Sequence, residues 1–389
     1  MSKVLVTDAQ QRKALSVTRS LGKEGIDIVC CDVTGCNPVR FSKYCNKFYK
    51  CPQNGKLIDF YKYIIRTEAC DVIIPTDEDS MEAVVNMAAV DDSFLHPNGT
   101  CGFLVPPVES FYTALYKNTA VKLAEDCKVN CPKTIWPKGP GDLDSVTDEL
   151  DFPVVIKPVR SSGGRGVKIV FDKSNFQDEY IRIHGKYPFP LVQQYVSFKE
   201  KYDVCLIFNK QRELRGWFVQ KEYRNYPIET GPGTMHESVN RTDLVDIALK
   251  IMENIPWTGV VELEFIIDLK NDLPVFMEIN PRFWASLETA VLSGVNFPKM
   301  YYDIVKHGDC NMVCSYTEGV KTRWVWPGEI LYLLSSHTGQ NKNYPGTKVK
   351  KAIDDIFNLD DPLPLVGVIL QCGYYLINKK RRDYIIKRN

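Results

Sequence analysis

Short apolar runs alternate with amphipathic stretches through the first hundred residues of the chain. The apolar runs predict strands, and apolar side chains that recur on one helical face predict helices between them. The predicted strands are Lys3–Thr7, Ile26–Cys31, Asp71–Pro75 and Gly102–Val105, and the predicted helices are Gln11–Lys23, Leu57–Arg66 and Met81–Val90. Alternation of this kind predicts an α/β domain with a parallel sheet.

The turn after the first predicted strand argues against dinucleotide binding by this domain. It reads Asp8-Ala9-Gln10-Gln11 and holds no glycine, whereas a pyrophosphate needs glycines there so that the backbone can approach it. We therefore expect the first domain to be a scaffold, with at most part of a substrate pocket.

Pro106-Pro107 marks the end of that domain, and strands dominate the core that follows. Asn118–Cys127 and Thr242–Asn254 are predicted helices, and Trp136–Asp148 is predicted to be a loop because it is rich in Pro, Gly and Asp. The predicted strands are Phe152–Lys157, Val167–Phe171, Leu191–Tyr195, Tyr202–Phe208, Gly259–Asp268 and Pro274–Ile279.

The composition mainly argues against certain classes of protein and site. The chain has 389 residues and a formal net charge of +1, so we expect no nucleic-acid partner, because such proteins usually carry a basic excess. The 13 cysteines form no C-x-x-C pair and have no histidine cluster beside them, which favours free thiols in a reducing compartment over a metal site. Neither a signal peptide nor an apolar run of about 18 residues is evident, so we expect a cytoplasmic protein.

A glycine-rich loop between two predicted strands is the first candidate for phosphate binding. Ser161-Ser162-Gly163-Gly164-Arg165-Gly166 can fold close over an anion, and its amides and hydroxyls can donate to phosphate oxygens. Lys157 ends the preceding strand, where burial of its ammonium favours an anionic partner. An ordinary hairpin and a lysine that reaches solvent from a strand end are the structural alternatives.

Acidic side chains interrupt two apolar strands further along the chain. Alternation places Glu262 and Glu264 on one face of GVVELEFIID, and Glu278 and Asn280 on one face of MEIN. Carboxylate and amide oxygens from adjacent strands suit Mg²⁺ that bridges to substrate phosphates. Arg282 offers a planar pair of donors to the same phosphates. The alternative is a surface carboxylate cluster with a neighbouring arginine.

The motifs VVIKP, SSGGRG and EINPR, in this order, resemble those of the ATP-grasp superfamily, which includes D-alanine–D-alanine ligase, biotin carboxylase and carbamoyl phosphate synthase. The resemblance implies α/β plus α+β structure, with two lobes that clasp ATP. The implied divisions are a Rossmann-like N-terminal domain over 1–105, a first lobe over 106–190, a second lobe over 191–310 and a C-terminal extension over 311–389.

The resemblance also assigns roles to single residues. Lys157 and Arg282 would act in catalysis, Gln193 stands where the family frequently has an acid that reads adenine, and Glu200 matches the ribose-binding acid. The residues implied to bind ATP are Lys117, Lys157, Ser161, Ser162, Gly163, Gly164, Gly166, Gln193, Gln194, Tyr195, Val196 and Glu200. The residues implied to hold Mg²⁺ or Mn²⁺ are Glu264, Glu278 and Asn280.

The activity implied by the resemblance is ADP-forming ligation of a small-molecule carboxylate to an amine through an acyl phosphate, with an amino acid or a similar compound as substrate. A thiol or hydroxyl acceptor, and a nucleotide-binding protein without ligase activity, are the alternatives. Lys221, Arg224 and His236 lie where the family places substrate-facing loops, although ordinary exposed loop residues are an equal interpretation. The sequence predicts no oligomeric state.

The C-terminal extension contains the apolar stretch Pro362–Ile377, followed by KKRRDYIIKRN. A helix packed on the core with a solvated basic end is the favoured interpretation, because short apolar runs are usually core helices. Weak peripheral contact with an anionic membrane is the alternative.

Overall fold

The structure is a computed structural model that describes residues 2–52, 56–90, 95–96, 99–228, 230–337 and 351–378. Its described strands form three main sheets and one short hairpin. The first sheet is parallel and the other two are mainly antiparallel, so the expected mixture of α/β and α+β structure is confirmed.

The parallel sheet has the strand order β3-β2-β1-β4. Its elements are β1 (Lys3–Val6), α1 (Arg12–Lys23), β2 (Asp27–Asp32), β3 (Lys47–Lys50), α2 (Leu57–Glu68), β4 (Val72–Ile74) and α3 (Glu78–Val90). Val4 and Val6 pack towards α1, whereas Leu5 packs towards α2, because successive strand side chains point to opposite faces. Burial on both faces explains the nearly continuous apolar sequence of these strands.

The predicted strand Gly102–Val105 is wrong. Gly102 makes only an isolated bridge to Val72, after the short hairpin of β5 (Leu95–His96) and β6 (Gly99–Thr100). The Tyr301 hydroxyl accepts from the Leu104 N–H at 2.8 Å and donates to the Ile73 carbonyl at 3.3 Å. The Tyr301 hydroxyl therefore bonds the backbone groups that would otherwise pair with each other in a continued strand.

The second sheet has the order β7-β10-β8-β9. The elements of this region are α4 (Val108–Leu115), α5 (Lys117–Asp126), β7 (Thr134–Ile135), α6 (Leu143–Glu149), β8 (Val154–Lys157), β9 (Lys168–Val170), α7 (Phe176–His184) and β10 (Leu191–Gln194). Val154, Ile156 and Val192 pack on one face with residues of α6 and α7. The glycine-rich loop joins the antiparallel strands β8 and β9, as predicted.

Two expectations for this region need correction. The predicted loop Trp136–Asp148 contains most of α6, because Leu143 and Val146 supply an apolar face that is buried. The predicted boundary at residue 191 would also assign β10 to the second lobe. Instead, β10 belongs to the second sheet, where it pairs with β8 along its whole length. The remaining domain boundaries stay predictions.

The third sheet has the order β15-β14-β11-β12-β13-β16-β17 among the described strands. Its elements are β11 (Phe198–Phe208), β12 (Leu214–Asn225), β13 (Gly233–Ser238), α8 (Thr242–Met252), β14 (Gly259–Asp268), β15 (Pro274–Asn280), α9 (Leu287–Ser293), α10 (Phe297–His307), β16 (Lys321–Arg323), α11 (Ile330–His337), β17 (Ile353–Asp354) and α12 (Pro364–Ile377). One sheet face packs on α8. The other face packs on α9, α10 and the N-terminal domain.

The C-terminal segment is tied to the N-terminal domain by buried ion pairs. Arg12 Nη1 is 2.5 Å from Asp355 Oδ2, and Arg19 Nε is 2.9 Å from Asp361 Oδ2. Helix α12 packs one of its faces on the same domain, so the predicted packing of a C-terminal helix is confirmed. None of the helices in the described ranges has the length and apolar character needed to cross a bilayer. The basic tail KKRRDYIIKRN lies outside the described residues.

Candidate nucleotide and metal site

One face of the third, seven-stranded sheet changes from apolar to charged along β11. Cys205 belongs to the core that contacts the N-terminal domain, and the preceding residues on the same face are Asp203 and Lys201. The register pairs Asp203 with Glu264, and Glu264 with Glu278. Because directly paired residues share a sheet face, three neighbouring strands carry their charges side by side.

The three predicted metal ligands lie together in this charged region. Asn280 Nδ2 is 3.0 Å from Glu264 Oε1 and 3.5 Å from Glu278 Oε1. Arg282 Nη2 donates to Asn280 Oδ1 at 2.9 Å. The amide therefore presents its nitrogen to the carboxylates, and its oxygen would meet a cation only in the flipped orientation.

Two lysines face the carboxylates from the other lobe. Lys117, the first residue of α5, forms a hydrogen-bonded ion pair with Glu278. Burial would lower the pKa of Lys117, but the Glu278 charge raises it. Burial likewise opposes ionisation of Glu278, yet Lys117 and then Lys157 hold the pKa of Glu278 at about 2. Glu278 is therefore ionised and ready to bind a cation.

Lys157 ends β8, and its ammonium forms no hydrogen bond or ion pair with the part of the chain that the structure describes. Burial lowers the pKa of Lys157 to about 8, although the Glu278 charge acts in the opposite direction. A buried ammonium without a partner is unfavourable, and an anionic ligand would relieve it.

Gln193 lies on the same face of the second sheet as Lys157. The reason is that β10 and β8 pair Gln193 with Val155 and Leu191 with Lys157. Its Nε2 donates to Thr134 Oγ1 at 2.9 Å. Its Oε1 is buried and lacks a hydrogen-bond partner among the described residues. That oxygen is an acceptor of the kind that the adenine amino group needs.

The residues that follow Gln193 form hydrogen bonds within the protein itself. Gln194 Nε2 donates to the Asp151 carbonyl at 2.7 Å, and the Tyr195 N–H donates to the Pro153 carbonyl at 3.2 Å. Val196 follows in the segment between β10 and β11. Gln194 therefore fixes the end of β10, and Gln193 is the better candidate for direct adenine contact.

The glycine-rich loop is shaped by three left-handed residues, since Gly163, Gly164 and Gly166 have φ of 62°, 74° and 70°. A Cβ at Gly164 would lie 1.7 Å from the Thr230 carbonyl oxygen, so the loop touches the segment between β12 and β13. Arg165 Nε donates to the Ser162 carbonyl at 2.9 Å, while the Ser161 hydroxyl oxygen is buried without a partner in the described ranges.

Lys201 is a central residue of the site that the sequence analysis missed. Its Nζ is 2.8 Å from Glu264 Oε2 and 2.9 Å from Glu222 Oε2. Burial would lower the pKa of Lys201, but Glu222 and Glu264 raise it well above its usual value. Alternation within KEKYDV could have indicated that Lys201 and Asp203 share a face, but not which strand lies opposite.

Asp203, Glu222 and His236 form a second, adjoining cluster, with ligand atoms within 4.8 Å of one another. Gln220 Nε2 donates to Asp203 Oδ2 at 2.8 Å. Asp203 Oδ1 and His236 Nδ1 are buried and have no hydrogen-bond partner among the residues described. Burial, and then the charges of Arg12 and Lys201, hold the pKa of His236 well below its usual value, so the imidazole is neutral.

Lys221, another predicted substrate contact, lies away from the carboxylates. It pairs across the strands with Tyr202, which in turn pairs with Phe265, and so it occupies the opposite sheet face from Glu264. Lys221 Nζ is 2.6 Å from Glu200 Oε1, the predicted ribose acid. The sequence missed this because Glu200 and Lys221 are 21 positions apart.

Arg224 is held by an acidic partner. Its Nη1 is 2.6 Å from Glu329 Oε2, and its guanidinium lies 5.2 Å from the centre of the Tyr332 ring. Of the three predicted substrate contacts, His236 is the one that lies beside the carboxylate cluster.

The N-terminal domain approaches the site through the ends of its parallel strands. Arg282 Nε is 3.5 Å from Glu78 Oε1 and 3.7 Å from Asp77 Oδ1. Lys13 Nζ is 2.8 Å from Asp77 Oδ1. Ligands of open α/β sheets usually bind outside the carboxyl ends of the strands, so this placement fits the expected contribution to a substrate pocket.

Comparison with known proteins agrees with this geometry. The model of the ATP-grasp domain matches residues 122–290. Residues 122–290 are thus identified as an ATP-grasp domain. Its match to the pyruvate carboxylase of Staphylococcus aureus (strain Mu50 / ATCC 700699) is 24% identical over 164 residues, which is 39% of this chain and 14% of that protein. The chain thus spans about one seventh of the length of that relative.

Two solved structures cover far more of the chain. N5-carboxyaminoimidazole synthetase from Staphylococcus aureus has a TM-score of 0.67 at 14% identity, over 90% of this chain and 91% of that one. The biotin carboxylase domain of Hydrogenobacter thermophilus 2-oxoglutarate carboxylase, in complex with MgADP, ADP and bicarbonate, has a TM-score of 0.66 at 15% identity, over 82% of this chain and 73% of that one. At these identities the likeness establishes the fold.

Proposed function

We propose that this chain is an ADP-forming ligase that joins a small-molecule carboxylate to an amine. The observation that carries the proposal is a set of polar atoms on and beside the second sheet that lack partners among the described residues. Gln193 Oε1, Ser161 Oγ and the Lys157 ammonium form this set. ATP would supply each with a partner: the adenine amino group for Gln193, and phosphate oxygens for the hydroxyl and the ammonium.

Glu264, Glu278 and Asn280 would hold Mg²⁺ or Mn²⁺ opposite that set. The fit is supported by the position of the Asn280 amide, whose Nδ2 lies 3.0 Å from Glu264 Oε1 and 3.5 Å from Glu278 Oε1 on a shared sheet face, and by the ionised state of Glu278. When bound, the ion would neutralise phosphate charge and orient the γ-phosphate.

The first step of the proposed reaction is attack of a substrate carboxylate oxygen on the γ-phosphorus. The bond from that phosphorus to the bridging oxygen breaks, and ADP leaves with the electron pair. Lys157, Arg282 and the amides of the glycine-rich loop stabilise the charge that develops, because they are fixed donors in a largely buried site. The loop also excludes water, which would hydrolyse the acyl phosphate.

In the second step, an amine nitrogen attacks the acyl carbon, inorganic phosphate leaves, and the amine loses a proton. An amine arrives mainly as an ammonium ion at neutral pH, so it must first give up one proton to free the lone pair that attacks. Asp203 and His236 offer it buried acceptors without partners among the described residues, on the same face of the sheet as Glu264, and Glu222 adds a buried carboxylate that Lys201 pairs with. We therefore assign the amine side of the reaction to this second cluster, with an amino acid or a similar compound as substrate.

The test is mass spectrometry of products formed from ATP, Mg²⁺ and pooled carboxylates and amino acids, with ADP and phosphate measured in parallel. We expect a product that contains a new amide, and a loss of at least about 100-fold in turnover for Glu278→Gln. Glu125→Gln on the exposed face of α5 is the matched control and should keep full activity. Full turnover by Glu278→Gln would overturn the site, and a thioester or ester product would overturn the amine as acceptor.

A further inference from the structure

Helix α12 exposes a row of apolar side chains, although one of its few polar side chains is buried. Gln371 is buried and its Nε2 donates to the Tyr375 hydroxyl at 2.8 Å, while the Tyr375 hydroxyl donates to Gln10 Oε1 at 2.8 Å. The polar atoms thus face the N-terminal domain. The exposed side chains along the helix are apolar or aromatic, and they are Val366, Ile369, Leu370, Tyr374, Leu376 and Ile377.

The inner face of α12 fits the protein too closely for the helix to turn this surface inwards. A Cβ at Gly367 would lie 2.5 Å from the Asn37 carbonyl oxygen and 2.9 Å from the Pro38 Cα. Rotation about the helix axis would drive a larger side chain into that backbone. The apolar row therefore remains outside in the fold as it stands.

Apolar exposure continues into the neighbouring helix. Helix α12 contacts the turn Val325–Glu329, which leads directly into α11. In this region Trp326, Leu333 and Leu334 are also exposed, Leu334 by 63%. Contiguous apolar surface of this kind usually marks a site of interaction with another protein or with a membrane.

The charge of the adjoining sequence distinguishes between these two partners. Residues 338–350 follow α11 and residues 379–389 follow α12, and together they contain nine lysines and arginines and a single acidic residue, Asp383. The chain as a whole has a formal net charge of only +1. Basic charge is therefore concentrated in the two segments that adjoin α11 and α12 in the sequence, and a partner that offers apolar contact and dense negative charge matches both features.

We propose that the exposed face of α12 docks on an anionic lipid surface. The apolar row enters the boundary between headgroups and acyl chains, while the flanking lysines and arginines pair with anionic headgroups. The association is peripheral, because no described helix can cross a bilayer. It would place the proposed ligase beside substrates or products that remain at a membrane.

Co-sedimentation of the full-length protein with vesicles tests the proposal. We expect binding to vesicles of phosphatidylcholine with about one third phosphatidylglycerol, at least ten-fold weaker binding to pure phosphatidylcholine, and release at high salt because charge attraction is screened. Ile369→Ser with Leu370→Ser should weaken binding at least ten-fold. Both side chains are exposed, so the fold and ATP turnover should be retained.

The matched control is Leu269→Ser with Leu273→Ser, two exposed leucines in the turn between β14 and β15. This double variant should bind vesicles like the parent protein. A lack of binding to anionic vesicles would overturn the proposal, as would equal binding to neutral ones. If the α12 variant bound normally, the basic segments alone would be responsible. If light scattering showed a dimer that the α12 variant dissolved, a second copy of the chain would be the partner.

Discussion

At the scale of single residues, Lys157 gives the most direct prediction about ligand binding. Its pKa is lowered to about 8 by burial, and a bound triphosphate would favour the charged form and raise that pKa. ATP binding at pH 8 should therefore take up about half a proton, and affinity should weaken as the pH rises above 8. Calorimetry in buffers of different ionisation enthalpy measures this uptake.

Lys157→Arg is the control for that experiment, because a guanidinium stays protonated throughout the same pH range. The variant should still bind ATP, but without proton uptake at pH 8. Uptake of the same size in Lys157→Arg would show that another group is responsible.

Lys201 is expected to be a stabilising cation in the absence of metal. Its ammonium lies between the Glu264 and Glu222 carboxylates, so Lys201→Met would leave buried negative charges close together. Breaking such a pair by removing one partner usually lowers the free energy of unfolding by about 3–5 kcal/mol. Urea unfolding should show this loss, and Mg²⁺ with ADP should restore part of it by binding the carboxylates.

Lys199→Met is the matched comparison, since Lys199 pairs with Asp272 at the surface. Exposed ion pairs contribute little, so its unfolding curve should stay close to that of the parent protein. An equal loss in both variants would contradict the role given to Lys201.

The residues of the site were partly accessible from sequence. Alternation within each strand correctly put Glu262 with Glu264 and Glu278 with Asn280. It could not reveal Glu222, because the pairing of Glu222 with Lys201 depends on the register between β11 and β12. Local periodicity specifies faces, but only tertiary pairing specifies neighbours.

At the scale of elements, the glycine-rich loop gives a steric prediction. Gly164→Ala would place a methyl group 1.7 Å from the Thr230 carbonyl at a φ of 74°, so the loop could not close on its neighbour. We expect a fall of about ten-fold or more in ATP turnover with little change in thermal stability, because loop closure completes the site. Steady-state kinetics and thermal melting measure the two effects.

Gly141→Ala provides the comparison, since a Cβ there would meet nothing within 4 Å. Its turnover should match that of the parent protein. If Gly164→Ala were equally active, closure of this loop would not be part of the reaction.

Elements with one clear periodicity were predicted well, and elements defined by their neighbours were not. The apolar strands β1, β2 and β4 and the helix α8 lie where the pattern indicated. In contrast, β3 is the four-residue segment KFYK with charged ends, and it becomes a strand because β2 pairs with it. Helix α6 directly follows a turn that contains Pro and Gly, and the composition of the whole segment therefore predicted a loop.

At the scale of the whole molecule, the chain closes on itself through its C-terminal segment. Strand β17 extends the large sheet beside β16, while Arg12 and Arg19 of the first helix reach Asp355 and Asp361. Sequence could not show this link, because the partners of Arg19 lie more than 330 positions away. The first domain and the last segment should therefore unfold together.

Asp361→Asn tests this coupling. Asp361 accepts from Arg19 Nε at 2.9 Å, from Ser42 Oγ at 2.7 Å and from the Lys43 N–H at 2.9 Å, and its side chain is 2% exposed. An amide in its place would leave the buried guanidinium without a counter-charge and turn an N–H group towards one of these donors. We expect the free energy of unfolding to fall by about 3–5 kcal/mol, within a single urea transition seen alike by tryptophan fluorescence and far-UV circular dichroism.

Asp360→Asn is the matched control, because it changes the adjacent, exposed carboxylate that pairs with Lys43. This variant should alter the unfolding curve far less. Two separate transitions in Asp361→Asn, or equal effects of the two substitutions, would mean that the C-terminal segment does not stabilise the N-terminal domain through this ion pair.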